Sequence, residues 1–304
     1  MDNKETIKAE FLQRLQLFAG TLKKHISTTD HQWTIKGFID VFENIYTISA
    51  DTKIISKILE IHLFSKFIEF ADQYNFELIL AEKQNWYPDL SFVNKENRDI
   101  KFAVDLKTTY RLENNPAFCN GFTLGSHGEY FINRNSTKNI QFAYNQYLGH
   151  YSLGILYSRK AFSYLEEAKI FKNEQLNEIP SVISDFEFFA QEKWRIASDK
   201  SGSGNTANIG SITHIKDVLQ GSGIFAKLGE DWFDEYWKNF GKITVKQKKS
   251  ETDENGLKIE KEYDTKITDI KTYLKFKGKD DIWIAKNIDL KKTTGNTKGG
   301  KDVE

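Results

Sequence analysis

Asp89, Asp105 and Lys107 are the side chains in this sequence best placed to do chemistry together. They lie in Tyr87-Pro88-Asp89 and in Val104-Asp105-Leu106-Lys107. The surrounding residues predict strands over 89–93 and 101–110, with Asn94–Asp99 as the turn between them. Residues two apart on a strand share a face. Asp105 and Lys107 therefore point one way, and Phe102, Val104 and Leu106 the other. Asp89 and Asp105 are equidistant from Asn97, the middle of the turn. In a regular antiparallel hairpin they oppose each other, with Cβ atoms about 4.5–5.5 Å apart. Like charges so placed repel unless a cation sits between them, and two converging carboxylates are an oxygen site for Mg2+.

A lysine two residues on adds positive charge where a phosphate would sit. Carboxylates, divalent metal and ammonium are the parts of metal-assisted phosphodiester hydrolysis. The lysine can orient the attacking water or stabilise charge growing on the phosphoryl oxygens. Glu60 reads as a fourth member, because a lone carboxylate on an apolar helix near Phe64 and Phe67 is costly without a partner. The spacing also admits a plainer account: turn chemistry for Pro88-Asp89, a solvated strand face for Asp105 and Lys107, and a Glu60 that snorkels outward. The six histidines show no metal-ligand spacing and read as core or surface residues. Gly202–Thr206 lacks the Gly-Lys-[Ser/Thr] of a nucleotide phosphate loop.

The elements that must position these groups follow from periodicity. Ile7, Phe11, Leu15, Phe18 and Leu22 predict a helix over 5–25. Residues 33–48 read as a β-hairpin broken near Glu43-Asn44. Asp51 is an N-cap for a helix over about 52–73. Apolar residues wrap most of that helix, which predicts that it is largely buried. Residues 138–157 look helical and 185–197 strand-rich. Residues 199–211 read as a glycine-rich polar loop, 230–240 as an amphipathic helix, and 243–263 as a charged hairpin around Asn255-Gly256. The polar residues from Thr293 onward read as disordered. Alternating helix and strand argue an α/β fold, with residues 1–292 as a single domain.

Composition first seems to argue against nucleic acid. The chain has 43 Lys+Arg against 43 Asp+Glu in 304 residues, so no global field gathers an anionic partner. By region the sum differs. Residues 238–304 hold 17 Lys and 12 Asp+Glu, whereas residues 1–237 hold 26 Lys+Arg and 31 Asp+Glu. The single cysteine, Cys119, excludes a disulfide framework and a Cys-based zinc site. No stretch has the run of apolar residues needed to span a bilayer. The polar start carries no signal-like segment, so a prokaryotic cytoplasmic setting is expected.

Tyr87-Pro-Asp-Leu-Ser-Phe followed by Val104-Asp-Leu-Lys-Thr-Thr-Tyr110 resembles the motif of the EcoRV-like type II restriction endonucleases of the PD-(D/E)xK superfamily. The likeness extends to Ser49-Ala-Asp-Thr-Lys53, Lys83-Gln84-Asn85, Arg134–Ile140, Leu176–Pro180 and Gln191-Glu192-Lys193-Trp194. Its most specific part is Gly202-Ser203-Gly204-Asn205-Thr206, continuing to Asn208-Ile209-Gly210-Ser211, which is similar to the loop with which that family reads bases. In all it covers about 18–279.

The resemblance implies a restriction-endonuclease-like core, a mixed β-sheet flanked by helices. It adds a dimerisation hairpin at 33–50, a catalytic core at 51–157 and a recognition region at 185–240. It implies a Mg2+-dependent homodimer that cuts both strands of a palindrome, leaving 5′-phosphates. Asp89 and Asp105 would hold metal, with Glu60 accessory and Lys107 beside the scissile phosphate. Gly202, Ser203, Gly204, Asn205, Thr206 and Asn208 would read the major groove, and Gln84 and Asn85 the minor groove. Thr52, Thr108, Thr109 and Lys138 would contact the backbone, which positions without specifying. The matching loop makes GATATC, cut blunt, the first expectation. A cognate DNA methyltransferase would share the cell without forming a stable complex. The 243–263 hairpin and the tail after Lys279 depart from the family pattern. The rivals are a repair or junction-resolving nuclease of the same fold, and a DNA-binding protein without catalysis.

Overall fold

The computed structural model describes residues 3–83, 85–160, 169–202, 207–252 and 258–286. Its centre is a mixed sheet of strands in the order β10-β8-β5-β4-β3, with β6 added beside β5. These strands are β3 (Phe76–Leu80), β4 (Leu90–Asn94), β5 (Lys101–Leu112), β6 (Asn115–Cys119), β8 (Gly149–Arg159) and β10 (Ile183–Glu192). β5 and β8 run parallel and the other pairs antiparallel.

Two helices cover one face. Helix α1 (Asn3–Ile26) buries Phe11, Leu15, Ala19, Leu22 and Ile26, the stripe expected at helical spacing. Phe11 stacks on Phe102 of β5 with ring centroids 3.9 Å apart. Helix α2 (Thr52–Gln73) starts where expected: Asp51 accepts hydrogen bonds from the Lys53 and Ile54 N–H groups at 2.9 and 3.1 Å. A cap of this kind is worth about 1 kcal/mol. The second face carries its own core, in which helix Glu230–Asn239 contributes Phe233, Tyr236 and Trp237.

Three smaller sheets flank this body. β1 (Gly37–Ile39) and β2 (Asn44–Thr47) form the expected hairpin, extended by β9 (Ile170–Lys172). β11 (Ala197–Ser201), β12 (Asn208–Ser211) and β7 (Thr123–Ser126) form the second. β13 (Thr244–Thr252) and β14 (Lys258–Lys266) form the third, the charged hairpin, laced by Lys248–Glu260 and Lys261–Glu251 ion pairs. Its Asn255-Gly256 turn and the tail from Thr293 lie outside the described residues.

Three expectations are corrected. Residues 138–157 are not a helix: a short 3-10 turn at Tyr144–Gln146 leads into β8. β8 is buried on both faces at the centre of the sheet, so it lacks the alternation that marks a half-buried strand. Its apolar run therefore matches a buried helix equally well. Helix α2 is only half covered, with Ile54, Ile61, Phe64 and Ile68 exposed. The sheet and α1 pack on one of its sides, and among the described residues no element covers the other. The hairpin is shorter than 33–48, because Trp33 is drawn into the main core and donates its backbone N–H to Ser181 Oγ at 3.0 Å.

Candidate active site

Asp89 stands one residue before β4, and Asp105 lies within β5. The ladder pairs Leu90 with Val104, Ser91 with Ala103 and Phe92 with Phe102. One more step of this register sets Asp89 opposite Asp105. Phe102 and Val104 pack into the α1–α2 core, so Asp105 and Lys107 emerge on the other face.

The charges there are tightly coupled. Asp89 Oδ2 accepts the Leu106 N–H at 2.7 Å, and Lys107 Nζ lies 2.6 Å from Asp105 Oδ2. Burial, reinforced by the charge of Asp105, pushes the Asp89 carboxyl up to about 7, against the pull of Lys107 and the Leu106 N–H. Burial acts to lower Lys107, but Asp105 and Asp89 outweigh it and its ammonium is held above the usual range. A carboxylate raised by a neighbouring carboxylate is a site short of positive charge. Among the described residues no cluster of three or more His, Cys, Asp or Glu stands at ligand distance. Two carboxylates without a full protein cage suit Mg2+, which keeps several of its waters.

These three residues open into a cleft of about 580 Å3, also lined by Asn85, Thr123, Gly125, Lys138 and Asn208. The strand wall explains how distant residues meet. β12 pairs with β7 through Asn208↔Ser126 and Gly210↔Thr123, while β11 and β12 form the arms of the 202–207 loop. Gly202 donates its N–H to Asn208 O at 3.0 Å. A Cβ on Gly202 would approach Thr123 Cγ2 to 2.9 Å, so the loop's first residue crosses β7 too closely for a side chain. Gln84 and Ser203, Gly204, Asn205 and Thr206 lie outside the described residues.

Other expected residues fall elsewhere. Glu60 does not line the cleft; it pairs with Lys57 at 2.8 Å on the outer part of α2. Thr52 is exposed at the start of α2. Thr108 shares a hydrogen bond with Ser56, which ties that helix to β5. Thr109 is buried, and its hydroxyl donates to Asn120 O at 2.5 Å. Cys119 is buried too, with its thiol raised by burial to about 11.

The resemblance extends to named proteins. A family model described as restriction endonuclease EcoRV matches residues 29–278. The type II restriction enzyme EcoRV of Escherichia coli is 38% identical over 214 residues, covering 69% of this chain and 84% of that one.

The chain belongs to the EcoRV restriction endonuclease family.

It is a type II restriction endonuclease of the EcoRV type, a site-specific deoxyribonuclease. Enzymes of this type generally depend on a divalent metal. Its mixed sheet flanked by helices is the restriction-endonuclease-like arrangement. Among the described residues no helix is long and apolar enough to cross a membrane.

Beneath the cleft of this EcoRV-family chain lies an aromatic floor that sequence reasoning missed. Tyr87 stacks on Tyr130 with centroids 5.5 Å apart, and His150 on Tyr144 at 3.6 Å. His150 Nε2 lies 3.3 Å from Tyr144 O, and Nδ1 lies 3.0 Å from the Tyr87 hydroxyl. A carbonyl only accepts, so Nε2 carries the proton and Nδ1 accepts from Tyr87. Burial, with Lys193 and Arg134 nearby, holds this imidazole well below its usual range, hence neutral. The one sequence signal was that Tyr87 directly precedes Pro88-Asp89.

Proposed function

We propose that this enzyme hydrolyses both strands of double-stranded DNA at a short palindromic site, using Mg2+ held by Asp89 and Asp105. The observation that carries this is the meeting of Asp89, Asp105 and Lys107 in one cleft whose wall strand β7 pairs with β12, the arm that follows residues 203–206. Mg2+ held there would supply a Lewis acid for the phosphate and a lowered pKa for a bound water. Asp89 and Asp105 orient the ion, and Lys107 presents its ammonium to the phosphoryl oxygens. Asn85 and Lys138 line the same cleft and meet the DNA beside the scissile bond. Gly202 to Thr206 and Asn208 read the bases, with GATATC, cut blunt to leave 5′-phosphates, as the target. Thr52 and Thr108 contact the backbone. Thr109, with its hydroxyl committed internally, acts by holding β5 in place. Glu60 is an accessory carboxylate that reaches the cleft only if it leaves Lys57. Residues 1–292 act as a single endonuclease domain.

Cutting both strands of a palindrome calls for two sites related by a two-fold axis. The β1–β2 hairpin supports a homodimer: Phe38, Ile39, Val41 and Phe42 are more than half exposed there. Apolar side chains clustered in this way mark an association surface.

The test is digestion of phage DNA with Mg2+, followed by sequencing of the cut ends. Discrete fragments sharing one end sequence bear the proposal out. Cleavage confined to branched DNA, or binding without cleavage, defeats it.

A further inference from the structure

Lys193 opens the short turn Lys193–Ile196 between β10 and β11. It is 2% exposed, and its Nζ has no hydrogen-bond partner among the described residues. The ammonium instead faces aromatic rings, 4.8 Å from the centroid of Tyr87, 5.5 Å from Phe131 and 5.8 Å from Tyr144. It lies directly under the cleft wall: a Cβ on Gly125, which lines the cleft, would stand 3.4 Å from Nζ. Gly125 itself has φ +86°, a left-handed conformation that favours glycine.

A buried ammonium without a hydrogen bond is expensive, and cation–π contacts return only part of that cost. Methionine has nearly the same length and would fill the space without it. Packing alone therefore does not account for a lysine here. Burial pushes this amine down to about 7; of the neighbouring charges, Asp105 and Asp234 favour the ammonium, while Arg134 and Lys107 oppose it. Two features of the site converge on this one group: the ring that leads into Pro88-Asp89, and the charge of Asp105.

We propose that Lys193 is a positioning residue for the metal-binding carboxylates. Its amine head packs on the Tyr87 ring and so holds that ring, and the Asp89 that follows, against the Gly125–Phe131 wall. The inference rests on the nuclease reading above.

The test compares full-length wild type with Lys193→Met and Lys193→Arg. Melting temperature is read with and without Mg2+, and single-turnover cleavage is read against Mg2+ concentration. Lys193→Met is expected to melt no lower than wild type without metal. Its half-saturating Mg2+ should rise, and its maximal rate fall, by roughly 10–100-fold, the usual effect of losing a group that supports metal ligands. KM for DNA should not move. Lys193→Arg keeps the charge and the ring contacts and should stay within a few-fold of wild type. Unchanged Mg2+ dependence in Lys193→Met overturns the inference. Failure of that variant to fold also overturns it, since the ammonium would then serve stability. No cleavage by the wild type defeats the nuclease reading, and this inference with it. Wild-type cleavage matched by Lys193→Met defeats this inference alone.

Discussion

Lys107 Nζ lies 2.6 Å from Asp105 Oδ2, two residues away on the same face of β5. Asp105 and Asp89 together hold the lysine above its usual range despite its burial. In the metal-free protein it is therefore an ammonium at neutral pH. A group that already carries its proton cannot take another, which supports the proposed charge-stabilising role of Lys107 over general base work.

Asp89→Ala and Asp105→Ala should each reduce cleavage to background while leaving the fold intact. Both carboxylates sit at the cleft and not in a packed core. Circular dichroism and thermal melting check the fold, and a supercoiled-plasmid assay checks activity. Retained cleavage in either variant would remove the metal-site assignment.

The raised Asp89 carboxyl makes metal binding and stability depend on pH in opposite senses. Its folded value of about 7 lies above the ordinary 3.8. The folded protein thus holds this proton more tightly than the unfolded chain does. The resulting stability is fully present below the unfolded value and is lost as pH rises through about 7. Mg2+ must displace the same proton, so its affinity should weaken as pH falls below that point. Asp89→Asn should raise the metal-free melting temperature at pH 8, with a gain on the order of 1 kcal/mol or more. Melting curves across this range, with and without Mg2+, test both halves. A metal-free protein that grows more stable as pH rises from 6 to 8 would contradict the assignment.

Asn205→Ala should abolish sequence preference more than it weakens general DNA binding. Groove-edge hydrogen bonds carry discrimination of about 1–3 kcal/mol each, while backbone contacts carry much of the affinity. Cut-end sequencing and gel shifts on random duplexes separate the two, and an unchanged set of cut sites would sink the recognition-loop proposal.

Phe42, 75% exposed at the hairpin tip, should matter for assembly and not for folding. Phe42→Asp should yield a folded monomer by sedimentation that no longer cuts both strands. A dimeric Phe42→Asp protein would move the interface elsewhere, the uncovered side of α2 being the next surface to try.

The facing pair of carboxylates was legible because strand pairing across a short turn has one arithmetic. The six-residue break fixes the register, and the register sets Asp89 against Asp105. The cap at Asp51 was legible for the same local reason. What lay beyond reach was set by distant contacts. Tyr151, Leu153 and Leu156 belong to a run that reads as helix; the pairing with β5 and β10 on either side makes it a strand. Glu60 looked partnerless because its ion pair with Lys57, one turn away, competes with any site across the sheet. Lys193 lies in a stretch that resembles the family, but gave no sign of burial, since a lysine in sequence reads as surface. Only the rings of Tyr87, Phe131 and Tyr144 reveal its burial.

The pairing of β12 with β7 has a mechanical consequence. The residues on either side of 203–206 are not free-standing. The return arm is hydrogen-bonded, at Asn208↔Ser126, to the strand that also carries Thr123 and Gly125. A load on that arm is borne by the same ladder that walls the cleft. The arm proposed to present base-reading residues and the wall of the proposed cutting site are thus coupled in series, as a key's bit is to its shaft.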